Sequence, residues 1–222
     1  MRVILLITKI TIGKHEMAGS FICDDLGKAK ALNNFFVSIG SSVEKKIPAA
    51  KSSFSLFLGE RKLNNFHVIN VTKDEVLENI KKLGKNKSSG PFSIPVNILK
   101  DYTSILADPL VYIINKSLNE GIFPTLLKSA RVCPIYKKGD RFKCENYRPI
   151  SLLSNVSKIF ERIFHDQLSK FLKDNDLVYK LQFGFRKKYS TNHALLSIVE
   201  QIRNYLDNGI FACGVFVDLW YK

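Results

Sequence analysis

The sequence predicts an α+β fold that is predominantly helical, with a small antiparallel strand element around 131–150 and one further strand at 212–219. Three observations predict it. Apolar residues recur at helical spacing over several long windows, two short extended runs flank a tight turn, and a dense apolar run fills 210–219.

The elements follow in order. Residues 1–27 carry weak signals. Leu32, Phe35, Phe36 and Ile39 then mark a first helix that ends before Pro48. Residues 48–70 show no firm period and read as a linker with room for a short strand. Thr72-Lys73-Asp74-Glu75 is a capping box, followed by Val76, Leu77, Ile80 and Leu83 on one face. That helix runs into a basic loop, Lys85 to Pro91, that cannot continue it. Helices are expected at 95–101 and 104–119, the second burying Leu106, Leu110, Ile113, Ile114 and Leu118 and stopping at Gly121. Val132 to Tyr136 and 146–152 are the extended runs, joined through Lys137-Lys138-Gly139-Asp140. Ser154 caps a long amphipathic helix with Val156, Ile159, Phe160, Ile163, Phe164, Leu168, Phe171 and Leu172 inward. A basic, aromatic loop at 179–189 precedes a last helix. Ser190 or Thr191 caps it, and Leu195, Ile198, Val199, Ile202 and Leu206 face inward.

Composition narrows the class. Of 222 residues, 45% are hydrophobic and 24% charged, the balance of a soluble globular protein. Thirty-four Lys and Arg face twenty Asp and Glu, a net +14. With a pI near 9.6, such a chain attracts polyanions, because its cations replace the counterions condensed on phosphates. Cys23, Cys133, Cys144 and Cys213 form no CxxC pair and have no histidine at ligand spacing, which argues against zinc. Buried free thiols in a reducing compartment are expected. The apolar run Val3–Ile7 is too short for a secretory segment, and nothing approaches membrane-spanning length. The chain reads as intracellular and soluble, with nucleus and cytoplasm both open.

Three features carry chemistry. Asp218 sits in an otherwise apolar strand, Gly214 to Leu219, where a carboxylate needs water or a positive partner such as a metal ion. A lysine near a turn, Lys137 or Lys138, and Arg148 on the return strand form a two-pronged cationic clamp. Lysine offers a point charge and arginine a bidentate fork, a pair suited to a triphosphate. In Gln182-Phe183-Gly184-Phe185-Arg186-Lys187-Lys188, aromatics can stack on bases while cations track phosphates. Each has a plainer reading: a strand-end acid in water, a solvated lysine-rich hairpin, and two core phenylalanines.

Together, the motifs resemble those of non-LTR retrotransposon (LINE, jockey-like) reverse transcriptases. The resemblance rests on Asn86-Lys87-Ser88-Ser89-Gly90-Pro91 with Ile94-Pro95, on Val132 to Asp140, on Asn146 to Ser154, on Gln182 to Arg186, and on Phe216-Val217-Asp218-Leu219. It is strongest over 72–219, and 25–70 is similar to the linker that precedes this domain. The resemblance implies the fingers subdomain of a right-hand polymerase fold, residues 71–211, with a helical segment and linker at 1–70 before it. The first palm strand, 212–222, would follow, cut off at the first palm motif. It further implies that Arg148 with Lys137 (Lys138 the alternative) grips a deoxynucleoside triphosphate. Lys87, Gln182, Arg186, Lys187 and Lys188 would lie along the RNA template, with a DNA primer as the second strand. Asp218 would be the first of three carboxylates holding two Mg²⁺ ions, serving as catalytic residue and metal ligand. No membrane partner is expected, and nothing points to a stable protein partner.

Departures accompany the likeness. Asp218-Leu219 is followed by Trp220-Tyr221-Lys222 rather than the family's Lys-Ala-Phe-Asp, and no Tyr-x-Asp-Asp follows. Tyr205-Leu206-Asp207-Asn208 only imitates that hairpin. The loop Gly90–Ile94 lacks the Asp-Gly of many members. One carboxylate cannot hold two divalent cations, so these 222 residues alone are expected to bind rather than polymerise. A basic binding module unrelated to polymerisation, or a retroelement remnant without a role, stays open as the alternative.

Overall fold

The computed structural model describes residues 15–17, 20–22, 24–48, 52–57, 64–85 and 88–217. It divides into two compact units, Met1–Leu168 and Ser169–Lys222. In the first, a short antiparallel pair, β1 (His15–Met17) and β2 (Ser20–Ile22), precedes α1 (Asp25–Glu44). Asp24 caps α1 by accepting from the Gly27 N–H at 2.7 Å. The linker stays free of strand over its described residues; Phe54–Phe57 forms a 3-10 turn. Residues 64–71 run extended, held by two side-chain amides. Val71 N–H donates to Asn115 Oδ1 (2.7 Å) while Asn115 Nδ2 donates back to the Val71 carbonyl. Gln167 does the same for Ile69. These amides satisfy backbone groups that a sheet partner would otherwise take.

Four helices then build the core. The capping box at Thr72 and Glu75 is complete and opens α2 (Lys73–Lys81). α3 (Val96–Asp101) and α4 (Thr103–Glu120) follow, and Gly121 ends α4 in the left-handed region at φ 66°. α5 (Asn155–Asp174) begins where Ser154 Oγ accepts from the Ser157 N–H at 3.1 Å. Val76, Ile80, Leu83, Leu99, Leu110, Ile114, Ile159, Phe160 and Ile163 bury one another between these helices. Phe123 meets Phe160 edge-on.

A two-stranded antiparallel sheet joins α4 to α5: β3 (Ala130–Tyr136) and β4 (Tyr147–Leu153). Pro134 pairs with Pro149. The Lys137 N–H donates to the Asn146 carbonyl at 2.8 Å, which makes Lys137–Asn146 a hydrogen-bonded pair. Counting back two by two, the proline pair falls on a non-hydrogen-bonded position, where neither ring removes a ladder bond. At the open end the Gly90 N–H reaches the Leu153 carbonyl at 2.9 Å. A Cβ on Gly90 would lie 2.2 Å from the Leu152 carbonyl oxygen, so only glycine fits.

The second unit holds the end of α5, a loop, and α6 (Thr191–Asp207). Several expectations change here and in the core. Ile113 and Phe164 point outward. α6 forms where expected but buries no residue, and its stripe of Leu195, Ile198, Val199, Ile202 and Leu206 is 43% to 63% exposed. Helical period tells which residues share a face, not what covers it. The strand expected at 212–219 is absent over 212–217, where Val215, Phe216 and Val217 stand exposed; 218–219 lie outside the described residues. A strand needs a neighbour for its N–H and C=O groups, and no described segment pairs with this one. The thiol expectation also fails, since Cys213 is exposed and Cys133 and Cys144 are only partly buried. Among the described residues no helix is long and apolar enough to cross a membrane.

The buried and uncovered faces respond differently to truncation. Ile80→Ala, at a fully buried position, should lower the unfolding free energy by about 2–5 kcal/mol. Ile198→Ala on α6 should cost under about 0.5 kcal/mol. Denaturant unfolding of the two variants checks the contrast.

Candidate functional site

The β3–β4 hairpin concentrates charge: six Lys and Arg against two acids between residues 130 and 153. Its register decides where they point. Paired residues share a face, so Arg148 stands beside Ile135 on the side also occupied by Cys133 and Ile150. The opposite side carries Ala130, Val132 and Tyr147, all buried. Lys137 continues the ladder one step beyond Tyr136 and by alternation falls on the Arg148 face, whereas Lys138 lies in the bend beyond the ladder. Arg148, Lys137 and Lys138 are exposed. Among the described residues Arg148 has no ion-pair partner.

The turn between the strands is tied down by side chains that reading for charge passes over. Tyr136 Oη donates to the Gly139 carbonyl (2.5 Å), Asn146 Nδ2 to that of Asp140 (2.7 Å) and Tyr147 Oη to that of Arg141 (2.8 Å). The Asp140 carboxylate accepts from the Phe142 N–H at 2.9 Å, which turns that acid inward to its own loop. Arg141 lies over the Tyr136 ring at 4.9 Å from its centroid, and the two tyrosine rings meet edge-on. Gly139 has φ 90°, as the turn requires. The signal for this network was in the sequence: Asn146 and Tyr147 immediately precede Arg148. Burial pushes the Tyr147 hydroxyl above the usual phenol range, against the pull of the Arg141 cation.

Lys87 lies outside the described residues, but the loop that follows it is pinned. The Ser88 carbonyl accepts from Lys158 Nζ, the Ser89 carbonyl from the Arg131 guanidinium, and the Gly90 N–H is bound as above. Asn155 Nδ2 donates to the Ile94 carbonyl, and Ser93 Oγ accepts from the Asn155 N–H. This loop meets the hairpin at its open end, about 20 Å along the strands from the lysine-bearing turn.

In the second unit the loop at 179–189 exposes Phe185 completely, at φ 58°, while Phe183 is partly buried against Tyr189. Arg186 works inside the loop. Its Nη1 donates to the carbonyls of Tyr179, Lys180 and Gln182, and its guanidinium lies 4.1 Å from the Tyr189 ring centroid. Gln182 reaches the Gly184 carbonyl; Lys187 and Lys188 are exposed. Tyr205-Leu206-Asp207-Asn208 is the end of α6 and not a strand turn. Asp218 lies outside the described residues, and among those described no group of three or more His, Cys, Asp or Glu could hold a metal ion.

Comparison with known proteins decides the family. The chain is 33% identical over 149 residues, 66% of its length, to the probable RNA-directed DNA polymerase from transposon BS of Drosophila melanogaster. It is 31% identical over 150 residues to the RNA-directed DNA polymerase from mobile element jockey of the same species. The chain belongs to the jockey-like RNA-directed DNA polymerases of non-LTR retrotransposons. The jockey polymerase of Drosophila funebris matches over 79% of the chain at 28% identity. This jockey-like chain spans 16% of the length of the first two relatives and 20% of the third. No family model matches it.

The thiols offer a direct check on the hairpin's packing. Burial pushes the Cys144 thiol up, and thiolate is the reactive form. Cys213, exposed, should therefore be alkylated by iodoacetamide well before Cys144. Mass spectrometry of a time course at pH 7.5 reads the order, and equal rates would contradict the packing described.

Proposed function

We propose that this chain supplies the part of an RNA-directed DNA polymerase that grips the incoming nucleotide and the RNA template, within the fingers region, residues 71–211, of a right-hand polymerase. The observation that carries the reading is the hairpin register, which sets Arg148 and Lys137 on one exposed face. Arg148 would take two phosphate oxygens in its fork and Lys137 a third as a point charge, each bond strengthened by charge on both partners. Lys138 serves less well as the clamp lysine, because it lies in the bend beyond the last ladder bond.

The template side of the reading rests on Lys87 and on the loop of the second unit. There Phe185 can stack on a base while Lys187 and Lys188 track phosphates. Gln182 and Arg186 shape that loop, Arg186 by holding three of its carbonyls. Residues 212–222 would then be the first palm strand, preceded by the helical segment and linker of 1–70. The family reading gives Mg²⁺ to Asp218, as catalytic residue and metal ligand. A polypeptide of these 222 residues is expected to bind substrates without extending a primer, because one carboxylate cannot hold two divalent cations.

Titration with a fluorescent deoxynucleoside triphosphate tests the clamp. Arg148→Ala should weaken binding by about tenfold or more, and Arg148→Lys should not restore it, because an ammonium lacks the fork. Lys137→Ala should weaken it about fivefold to tenfold and Lys138→Ala less than about twofold. Equal effects of the two lysines would contradict the assignment by face. In RNA binding, the apparent constant should fall steeply with salt, by about 0.7 log units per log unit of salt for each phosphate contacted on a single strand.

A further inference from the structure

Three consecutive carbonyls at the hairpin turn, those of Gly139, Asp140 and Arg141, each receive one side-chain donor, from Tyr136, Asn146 and Tyr147 respectively. A turn of this kind is usually satisfied by its own backbone or by water. Here side-chain donors come from the strand ends that flank it, the Asp140 carbonyl accepting the Lys143 N–H as well at 3.4 Å, and two of those side chains stand immediately before Arg148. We infer that Asn146 and Tyr147, with Tyr136, are positioning residues that set the turn so that Lys137 stays on the Arg148 face. This rests on the reading of the hairpin as a nucleotide clamp.

The physical case is one of preorganisation. A lysine on a turn has four rotatable side-chain bonds and a backbone that can rock, and ordering both at the moment of binding lowers affinity. The strand ladder already fixes Arg148, because its backbone pairs with Ile135. Lys137 lies past the last paired residue, where its N–H donates to the Asn146 carbonyl. Its backbone direction therefore leans on the turn more than that of Arg148 does. The same turn is braced elsewhere. Gly139 at φ 90° leaves no room for a Cβ, which would meet Asn146 Nδ2 at 2.9 Å, so the Asn146 amide and the Gly139 backbone fit one another. Arg141 stacked on Tyr136 holds the far side. On the reverse side the 3-10 turn Cys144–Asn146 packs against α1, where Lys143, Cys144 and Glu145 line a groove with Ala31, Asn34 and Phe35. Tyr147 is buried and remains a protonated donor at neutral pH, its hydroxyl being pushed up by burial.

The experiment is a pair of double-mutant cycles on the full 222-residue chain, read by titration with fluorescent deoxyadenosine triphosphate. Tyr147→Phe removes only the hydroxyl, and Asn146→Leu keeps the side chain's approximate size while removing its donor and adding no charge. Each is expected to weaken binding about threefold to tenfold. Combined with Lys137→Ala, neither should add further loss, because the lysine they position is gone. Combined with Arg148→Ala, both should add their full loss. That asymmetry distinguishes positioning from a general effect on folding, which would add to both backgrounds alike, and thermal unfolding of each variant monitors the fold independently. Additive loss on both backgrounds, or no loss in the single variants, overturns the inference while leaving the clamp standing. If Lys137→Ala itself leaves binding unchanged, the clamp reading falls and takes this inference with it.

Discussion

The pairing of Ala130–Tyr136 with Tyr147–Leu153 governs more of this molecule than any other interaction. Had the register slipped by one residue, every side chain of β4 would change sides, burying Arg148 and exposing Tyr147. Two features oppose such a slip. Pro134 and Pro149 are tolerated only on positions where the ladder asks for no N–H, so they admit this register and not its neighbours. The buried side chains of Ala130, Val132 and Tyr147 add the usual preference for keeping apolar groups on one face. From this one pairing follow the face shared by Arg148 and Ile135, the direction of Lys137, and the Leu153 carbonyl left pointing outward for Gly90 to bind.

The helical core gives the hairpin something to stand on. β4 runs directly into α5 through Ser154, whose hydroxyl caps the helix, and Ile159, Phe160 and Ile163 of that helix lie in the core with α2, α3 and α4. The loop after Lys87 is fastened to this junction by Arg131, Lys158 and Asn155. The strand pair and the loop 88–94 are thus both anchored to one helix start.

Much of this was legible in the residues. Thr72 with Glu75, Gly121 after α4, and Ser154 before α5 are local signals, and local hydrogen bonds answer them. The hairpin was legible because a Gly-containing turn lies between two extended runs. What failed was non-local. The stripe on α6 was read as buried and the run at 212–217 as a strand, yet both depend on a second surface that no periodicity describes. Arg186 also holds three nearby carbonyls through its guanidinium, which the residues alone did not show. The resemblance favoured Lys137 over Lys138, and the strand register adds that Lys137 lies one step beyond the ladder on the Arg148 face. Asn146 and Tyr147 were visible as part of a motif, but their carbonyl partners in the turn were not.

The central claim is that Lys137 and Arg148 meet a triphosphate on one face of the hairpin. Acetylation of the folded chain with and without deoxynucleoside triphosphate, with lysine reactivity read site by site by mass spectrometry, tests it most directly. Lys137 should be protected by the nucleotide while Lys138, in the bend beyond the ladder, reacts as before. Protection of Lys138 instead, or no protection of either, would contradict the account.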